Sequence, residues 1–480
     1  MSTDEKSASD ATRPGPDKAA NSTENSHRPV NPGDGPRSGL GRSTTLGSLV
    51  GGLGASLLGA FVRKPFQNEE RRAGFLEQMW LREAERLVEK LGQLKGAAMK
   101  LGQMLSLHEH ILPPEASRIL SQLQKAAPPI PFTTVRKVLE EELGETLDQK
   151  VVRVEEEPFA SASIGQVHRA ELKDGRSIVF KVQYPGVDRA VRQDIKQLRW
   201  MAGPMVNFMT GGSATPIFDE LEEVMVQELD YERELANLQK MQSILADDSA
   251  RKVPAAVPEL SSRRVLAMEF ATGLSFEDAL SPNIDQTLRD QWAQALGRTF
   301  AQGLFSHRFL HADPNAGNFA FGLDGTLTLF DFGCMKLVPM SISRGYGNVI
   351  RAVLSEQDEA IPEILVNIGI HRAGGKPIDV DLLRPHAELV RKIFGQDGFR
   401  FGEDRELYDA IFELGRQQWF DSLGIKFPRE ILFVHRTLGG YFGNFSKLKA
   451  SGPWKSILME ALEEADAMDG ISRPEPVALI

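Results

Sequence analysis

Two polar motifs lie close together in this chain and restrict what it can fold into. HADPNAGNF carries Asp313 and Asn318, and LTLFDFG, a few residues later, carries Asp331. The chain between them has the length and pattern of one short hairpin. One carboxylate near an acceptor, with an amide oxygen and a second carboxylate to hold Mg²⁺, is what phosphoryl transfer needs. The two motifs therefore predict a catalytic loop and a metal-binding turn on either side of a hairpin.

The spacing within the first motif supports this interpretation. In the protein-kinase pattern H-R-D-x-x-x-x-N the Asp and the Asn are five positions apart, as Asp313 and Asn318 are here. A lone DFG triplet would be a weak signal, because a strand followed by a turn often produces one. Here it follows the D-x-x-x-x-N pattern and a predicted strand from Leu327 to Phe332, which makes it much more specific.

A kinase-like site also needs a lysine on a sheet, and Lys181 is the candidate. Strands are predicted from Val151 to Glu155, from Gln166 to Leu172 and from Ser177 to Val182, with a tight turn at Asp174-Gly175. Lys181 occupies the lysine position of V-A-I-K, which contacts nucleotide phosphates. A lysine within an apolar strand requires an anionic partner, unless it lies on an edge strand and points to solvent.

The partner of Lys181 is expected in VQELDYERELANL, a run with strong helical character. Glu234 is the preferred candidate for the ion pair, although spacing alone does not rank it above Glu228 or Asp230. The 53 positions between Lys181 and Glu234 imply an inserted helical segment. The alternative is that these acidic residues form an ordinary solvated helix face.

The loop between the first two predicted strands lacks the glycines of a kinase phosphate loop. Small Ala and Ser side chains replace most of them in PFASASIGQVH, and their Cβ atoms restrict the backbone and narrow the pocket. Nucleotide preference or phosphate pose should therefore differ from that of protein kinases. We predict cofactor contacts from this loop at Ala160, Ser161, Ala162, Ser163, Gly165 and Gln166, from Lys181 on its strand, and from the strand-to-hinge segment RVLAMEFATG at Glu269 and Ala271.

Taken together, these motifs resemble the UbiB or aarF-domain-containing family of atypical kinase-like proteins. The resemblance extends from about Phe66 into the C-terminal region. It rests on six motifs, which are the K-x-G-Q motif in KGAAMKLGQMLS, the Ala-rich loop, FKVQYPGV, the E-x-D element at residues 228–230, D-P-N-x-x-N and DFG. The residues of this chain that match these motifs are Lys100, Gly102, Gln103, Ala160, Ser161, Ala162, Ser163, Lys181, Glu228, Asp230, Asp313, Asn318 and Asp331.

The resemblance implies a role for each matching residue. Lys181 would contact ATP phosphates and Glu234 would position it, while Asn318 and Asp331 would hold Mg²⁺ and Asp313 would be the catalytic carboxylate. A helical extension carrying Lys100, Gly102 and Gln103 would cover the site, anchored by Glu228 and Asp230. Two departures from protein kinases argue against regulation by activation-loop phosphorylation, since HAD replaces HRD and no A-P-E follows the DFG.

The resemblance also predicts the fold and the domain order. We expect an α+β, protein-kinase-like fold of two lobes with an N-terminal helical K-x-G-Q extension and a mainly helical C-lobe. We predict a disordered tail at residues 1–42, a Gly-rich apolar segment at 43–65 and the helical extension at 66–145. An N-lobe with a helical insert follows at 146–272, and a C-lobe with the catalytic loop and DFG at 273–480.

Composition limits the classes of partner. The net charge is −10 and the pI is about 5.6, so nucleic-acid binding has no electrostatic support. The single cysteine, Cys334, excludes an internal disulfide and is expected to be a small packed residue beside the DFG.

Residues 43–62 carry no charge and include five glycines. They could span a bilayer or form a soluble linker, and the resemblance favours membrane contact.

Three hypotheses follow for function. The leading one is a Mg²⁺-dependent ATPase of kinase-like fold, using ATP or ADP, that supports ubiquinone biosynthesis or isoprenoid-lipid handling at a membrane. Its expected partners are an isoprenoid lipid or quinone precursor, a membrane surface and quinone-biosynthesis proteins, and its expected location is cytoplasmic with peripheral or single-segment membrane association. The alternatives are a small-molecule phosphotransferase of the aminoglycoside or choline kinase type, and a nucleotide-binding pseudokinase scaffold.

Overall fold

The computed structural model describes residues 129–162, 164–210, 215–403 and 425–469. The chain divides into two compact units, Met1–Gly54 and Ala55–Ile480, and every described residue belongs to the second. The predicted tail, the Gly-rich segment and most of the K-x-G-Q extension lie outside the described residues. These predictions therefore remain predictions.

The three strands predicted between residues 151 and 182 form one antiparallel sheet with two further strands. Its neighbours in order are Val151–Val154, Gly165–Leu172, Ser177–Gln183 and Val265–Glu269, and Ala160–Ser161 pairs with Gly165–Leu172. Short two- and three-stranded sheets lie further along the chain. The strands are β1 Val151–Val154, β2 Ala160–Ser161, β3 Gly165–Leu172, β4 Ser177–Gln183, β5 Arg251–Lys252, β6 Val265–Glu269, β7 Phe309–His311, β8 Phe319–Phe321, β9 Leu327–Leu329, β10 Met335–Leu337, β11 His371–Arg372 and β12 Ile425–Lys426.

Helices make up most of the described residues after residue 276. They are α1 Phe132–Leu143, α2 Glu145–Lys150, α3 Val187–Thr210, α4 Thr215–Glu228, α5 Tyr231–Ile244, α6 Phe276–Ala279, α7 Gln286–Leu304, α8 Met340–Leu354, α9 Ile361–Asn367, α10 Val380–Phe394, α11 Arg429–Leu448 and α12 Trp454–Asp469. The mixture of a sheet region and a helical region confirms the α+β prediction.

The β3–β4 hairpin closes through the predicted Asp174-Gly175 turn. Gly175 has a φ of 88°, a conformation that residues with a Cβ rarely adopt. The Asp174 carboxylate accepts the backbone N–H of Arg176 at 3.0 Å, which fixes the turn. This turn sets the register in which Val167 lies opposite Lys181.

The two faces of β4 have different neighbours because side chains alternate along a strand. Ile178, Phe180 and Val182 are buried in a core that helix α1 completes with Val135 and Leu139. The intervening side chain of Lys181 lies on the opposite face. Helix α1 therefore closes one side of the sheet and leaves the other for the site.

The insert predicted between Lys181 and Glu234 consists of α3 and α4. The helical run predicted through VQELDYERELANL is wrong in one respect, because α4 ends at Glu228 and α5 begins at Tyr231. The Asp230 carboxylate between them accepts the N–H groups of Glu232 and Arg233, both at 3.1 Å. An acceptor of this kind at an N-cap starts a new helix, which interrupts the run.

The hairpin predicted between the two polar motifs is present as β8 and β9. Strand β9 ends at Leu329, two residues before the DFG, so the predicted strand to Phe332 was too long. Trp292 of α7 is fully buried and donates its indole N–H to the Gly322 carbonyl at 2.9 Å. That bond attaches the hairpin to the helical region.

None of the helices in the described ranges is both long enough and apolar enough to cross a membrane.

Candidate active site

Lys181 lies between two carboxylates contributed by distant parts of the chain. Its Nζ is 2.8 Å from Glu234 Oε1 and 3.1 Å from Asp331 Oδ2. The ammonium also lies 5.3 Å from the ring centroid of Tyr231, at the start of α5. The ion pair predicted between Lys181 and Glu234 is thus formed in the structure, across 53 positions of sequence.

Burial and charge act in opposite directions on this cluster. Burial would lower the pKa of Lys181, but the carboxylates of Asp331 and Glu234 raise it well above its usual range, so the ammonium stays charged. Burial also raises the pKa of Glu234, and Asp331 adds to the rise although Lys181 opposes it. Two carboxylates thus share one ammonium in this cluster.

Helix α5 binds both backbone polar groups of Phe332, the middle residue of the DFG. Glu234 Oε1 accepts the Phe332 N–H at 3.4 Å, and Asn237 Nδ2 donates to the Phe332 carbonyl at 3.0 Å. Sequence reasoning missed Asn237. It lies three residues after Glu234 in a predicted helix, and residues at that spacing share a helix face, so the signal was available.

The catalytic loop is connected to the DFG through His311. Its Nε2 is 2.8 Å from the Asp331 carbonyl oxygen, which can only accept, so Nε2 carries the proton. The Ala312 N–H donates to the Cys334 carbonyl at 2.9 Å, next to a buried Cys334 side chain. The predicted packing role of that cysteine agrees with its burial.

Asp313 and Asn318 lie at the two ends of the loop that precedes β8. Asp313 Oδ1 accepts the Asn315 N–H at 3.2 Å, and Asn318 Nδ2 donates to the Asp313 carbonyl at 3.3 Å. Because the amide nitrogen is directed to that carbonyl, Oδ1 is the Asn318 atom suited to a cation. The Phe330 N–H donates to the Asn318 carbonyl at 3.2 Å, which brings the loop beside the DFG.

The donor set fits Mg²⁺. Asn318 and Asp331 supply oxygen ligands, which hard divalent cations prefer. No group of three or more His, Cys, Asp or Glu side chains suited to a metal occurs among the residues that the structure describes. Mg²⁺ is commonly held by one or two carboxylates together with substrate phosphates, so the Asn318 amide oxygen and the Asp331 carboxylate could hold it with a nucleotide. The metal assignments of Asn318 and Asp331 remain predictions.

Helix α11 supports the catalytic loop from the helical region. Asn444 donates from Nδ2 to the Pro314 carbonyl at 2.7 Å, in a buried position. A Cβ at Gly440 would lie only 2.2 Å from Pro314 Cγ, so glycine is needed for this close approach. The sequence alone did not identify Gly440 or Asn444, because no local pattern links helix α11 to the distant loop around Pro314.

The segment after the DFG is short. Strand β10 begins four residues after Asp331 and pairs with β7, and α8 begins at Met340. Lys336 in β10 is held by Glu223 of α4 at 2.8 Å. The nine positions from Asp331 to Met340 leave no length for an extended activation loop, which agrees with the missing A-P-E.

The Ala-rich loop forms a tight turn against β3. Ala160 and Ser161 pair with Val167 and Gln166, and the Ala162 N–H donates to the Gly165 carbonyl at 3.0 Å. Ser163 lies outside the described residues. The predicted nucleotide contacts of Ala160, Ser161 and Ala162 remain predictions.

Two residues predicted to contact the cofactor, Gly165 and Gln166, have structural roles in the sheet, and the contacts themselves stay predictions. Gln166 is fully buried on the face opposite Lys181, where its amide exchanges hydrogen bonds with the backbone of Ile130. The Gln166 side chain therefore holds the backbone of Ile130 and points away from the face that carries Lys181. Gly165 is required by the sheet, because a Cβ there would lie 2.2 Å from the Val182 carbonyl oxygen.

The remaining predicted residues fall around the edges of the cluster. Glu228 lies beside the DFG turn, since its Cγ is 3.8 Å from the position of a Cβ on Gly333. Asp230 is the N-cap of α5. Their predicted role as anchors of the extension remains untested, because Lys100, Gly102 and Gln103 are outside the described residues.

A cavity of about 750 Å³ lies against the connection after β6. Its lining includes Glu269 and Ala271 but none of Lys181, Glu234 and Asp331, so it is separate from the catalytic cluster. The Glu269 N–H donates to the Ala255 carbonyl at 2.8 Å, and that of Phe270 to the Ser177 carbonyl at 3.0 Å. The predicted adenine contacts at Glu269 and Ala271 stay predictions.

Comparison with known proteins gives consistent matches. Residues 122–365 match the ABC1 atypical kinase-like domain. Similar curated proteins include "Atypical kinase COQ8B, mitochondrial" from Rattus norvegicus, 36% identical over 66% of this chain and 60% of its own length. Another is "Atypical kinase coq-8, mitochondrial" from Caenorhabditis elegans, 32% identical over 87% of this chain and 56% of its own length. This chain thus spans three fifths or less of the length of these two relatives.

A solved structure shows a similar fold. It is described as the complex of Rv3197 with erythromycin from Mycobacterium tuberculosis. The likeness has a TM-score of 0.57 at 25% sequence identity, and it covers 83% of this chain and 99% of that one.

Proposed function

The chain belongs to the ABC1 atypical kinase-like family, and from this premise we propose that it binds Mg²⁺ with ATP or ADP and hydrolyses ATP. The observation that carries the proposal is the position of Lys181, whose ammonium is bound by Glu234 and Asp331 at once. In phosphoryl transfer, a lysine held by a helix carboxylate contacts the nucleotide phosphates, beside the carboxylate that binds the metal.

Each residue of the cluster has a proposed task. Lys181 binds phosphate oxygens, Glu234 keeps its ammonium in place, and Asn318 and Asp331 hold Mg²⁺. The metal, when bound, neutralises charge on the phosphate oxygens. Asp313 orients the attacking group, water or another hydroxyl, and takes its proton. Positioning and charge supply most of the rate in this kind of reaction, so the fixed geometry of the cluster is suited to it.

The proposed acceptor is not a protein side chain. A protein substrate of a kinase docks beside an ordered activation segment, and here only nine positions separate Asp331 from α8. Strand β10 occupies part of that stretch in its ladder with β7. Water or a small molecule is therefore the better-supported acceptor.

We propose that this activity supports isoprenoid quinone or lipid metabolism at a membrane surface. The motif resemblance supports this, as do relatives whose printed names are COQ8 atypical kinases assigned to mitochondria. The relevant ligand would be an isoprenoid lipid or quinone precursor, and quinone-biosynthesis proteins are the proposed partners. The predicted membrane association stays part of this proposal.

The test is Mg²⁺-dependent nucleotide binding and phosphate release by the purified full chain and an Asp331→Asn variant. For the wild type we expect ATP to bind more tightly with Mg²⁺ than with a chelator, and phosphate release to rise with anionic liposomes and a phenolic quinone-precursor mimic. In Asp331→Asn the difference made by Mg²⁺ should disappear. Equal effects of Mg²⁺ in both proteins would refute the metal assignment.

The same assay separates the alternatives. Transfer of the phosphoryl group to a small molecule, with little release to water, would favour a small-molecule phosphotransferase. Nucleotide binding without turnover in the wild type would favour a pseudokinase scaffold. The intact set of Lys181, Asp313, Asn318 and Asp331 supports turnover.

A further inference from the structure

Arg169 of β3 packs against two aromatic rings that also contact each other. Its Cζ is 4.3 Å from the ring centroid of Phe159 and 4.1 Å from that of Phe270. The two rings are themselves 5.2 Å apart and nearly perpendicular. Phe159 stands at the start of the Ala-rich loop, and Phe270 lies directly after β6, between Glu269 and Ala271.

The register of the sheet places this stack on the side of the nucleotide cleft. Arg169 pairs with Val179 of β4, and Val167 pairs with Lys181. Residues directly opposite each other in an antiparallel pair share a face, as do residues two apart on one strand. Arg169 therefore shares its face with Lys181, towards the end of the sheet where the adenine contacts are predicted.

The surroundings of Arg169 favour the stacked position. Its Nε is buried and has no hydrogen-bond partner in the part of the chain that the structure describes. A buried guanidinium edge without an acceptor is costly, unless other interactions offset the loss of water. The faces of two phenyl rings provide such an interaction, which is stronger when the cation is desolvated. The position of the arginine thus depends on both rings.

The stack connects the Ala-rich loop to the segment that follows β6. Phe159 is half-exposed, and its N–H donates to the Val167 carbonyl at 2.8 Å, which is the first bond that holds the Ala-rich loop to β3. Phe270 is fixed to β4 by its bond to the Ser177 carbonyl. Arg169, together with the direct contact between the two rings, attaches Phe159 to this fixed point.

We propose that Phe159, Arg169 and Phe270 form a latch that holds the Ala-rich loop against the connection after β6 and slows nucleotide release. Arg169 is a positioning residue in this proposal and takes no part in the chemistry. The part that concerns nucleotide rests on the proposed function, whereas the latch itself is a property of the protein without nucleotide.

The first experiment measures hydrogen exchange of the Phe159 amide in the nucleotide-free full chain. Loss of the two cation–π contacts should raise its exchange by roughly 5- to 30-fold in Arg169→Leu. Phe270→Leu should give a similar increase, and the double variant should add little to either. Arg153→Leu is the matched control, since Arg153 is an exposed arginine of the same sheet that pairs with Glu171 and touches no ring described here.

A second variant guards against misfolding. Arg169→Lys keeps the charge but loses the planar stacking, so a smaller increase in exchange is expected from it. Unchanged exchange at Phe159 in folded Arg169→Leu or Phe270→Leu would overturn the latch. So would an equal increase in the Arg153→Leu control.

The second experiment measures the release of a fluorescent ATP analogue by stopped flow. Release should be faster in Arg169→Leu by roughly the same 5- to 30-fold factor, with no change in Arg153→Leu. Unchanged release would overturn the proposal that the latch governs the nucleotide. If the wild type binds no nucleotide, the proposed function fails, while the exchange measurement still decides whether the latch exists.

Discussion

Glu234 Oε1 contacts Lys181 and Phe332 at the same time, the ammonium at 2.8 Å and the backbone N–H at 3.4 Å. One carboxylate of α5 thus fixes both the phosphate-binding lysine and the turn that carries Asp331. A displacement of α5 would move the two together. The helix is therefore the element through which the cluster can be assembled or lost.

Replacing Glu234 with glutamine should lower ATP hydrolysis by about 10- to 100-fold, because a charge-assisted hydrogen bond contributes roughly 1.5–3 kcal/mol. Glutamine retains the shape and can still accept the Phe332 N–H, so only the charge facing Lys181 is removed. The measurement is the turnover number with saturating Mg²⁺ and ATP. Glu232→Gln is the control, since Glu232 is exposed on the same helix. Equal turnover in Glu234→Gln and Glu232→Gln would contradict the assigned role.

Asn237→Ala tests the second bond between α5 and the DFG. The variant leaves the carbonyl of the buried Phe332 without its donor, and an unsatisfied buried group costs about 1–3 kcal/mol. We expect the free energy of unfolding in urea to fall by that amount. Gln239→Ala, at an exposed position of α5, should change it little. A stability loss of the same size in both variants would show that the Phe332 bond has no special weight.

Local patterns predicted much of the site. Strand alternation and the Asp174-Gly175 turn are decided within a few residues, and they located Lys181 on its strand. The spacing of Asp313 and Asn318 is equally local. Ambiguity began where the partners are far apart in sequence, because three acidic residues competed for Lys181. Asp230 decides which of the three faces Lys181, because aspartate is favoured at the N-cap and Asp230 caps the start of α5. Glu234 then lies one turn into the helix.

The structural roles that the sequence did not reveal also have physical causes. Gln166 was grouped with the phosphate loop by its neighbours in sequence, yet strand parity places it on the face opposite Val167 and Lys181. The role of Arg169 could not be predicted, because its two rings come from different parts of the chain and no local pattern brings them together. The support of Pro314 by α11 is likewise a product of tertiary packing.

The stability of the sheet should depend on pH through His168. Its Nδ1 lies 2.7 Å from the Glu155 carbonyl, and its Nε2 lies 2.8 Å from the amide nitrogen of Gln166. The first contact needs a donor and the second an acceptor, so the ring is neutral. Burial lowers the pKa of His168 below its usual 6.5, although the Glu155 carbonyl opposes this effect.

The unfolded chain therefore takes up a proton more readily than the folded one. The stability that the neutral ring contributes is complete above pH 6.5 and is lost as the pH falls through 6.5 towards the lower pKa of the folded state. The loss amounts to about 1.4 kcal/mol for each pH unit that separates the two pKa values. In His168→Gln the difference in unfolding free energy between about pH 7.5 and about pH 5 should shrink. His371→Gln, at a partly exposed strand position, serves as the control. An undiminished difference in His168→Gln would refute the assignment.

The neighbouring glycines of α11 allow a paired test of the catalytic loop. A Cβ at Gly440 would lie 2.2 Å from Pro314 Cγ, whereas a Cβ at Gly439 would meet nothing within 4 Å. Gly440→Ala must therefore displace the loop that carries Asp313. We expect ATP hydrolysis to fall at least about tenfold, because displacing a reacting group by about 1 Å can cost 10²-fold in rate. Nucleotide affinity should change much less. Gly439→Ala should leave hydrolysis unchanged and add about 0.5–1 kcal/mol of stability, because alanine is the better helix former. Hydrolysis would be compared at saturating ATP and affinity by titration with a fluorescent analogue. Parallel losses of affinity and turnover in Gly440→Ala would mean that α11 supports the fold as a whole and not the loop, and an active Gly440→Ala enzyme would show that Pro314 yields without moving Asp313.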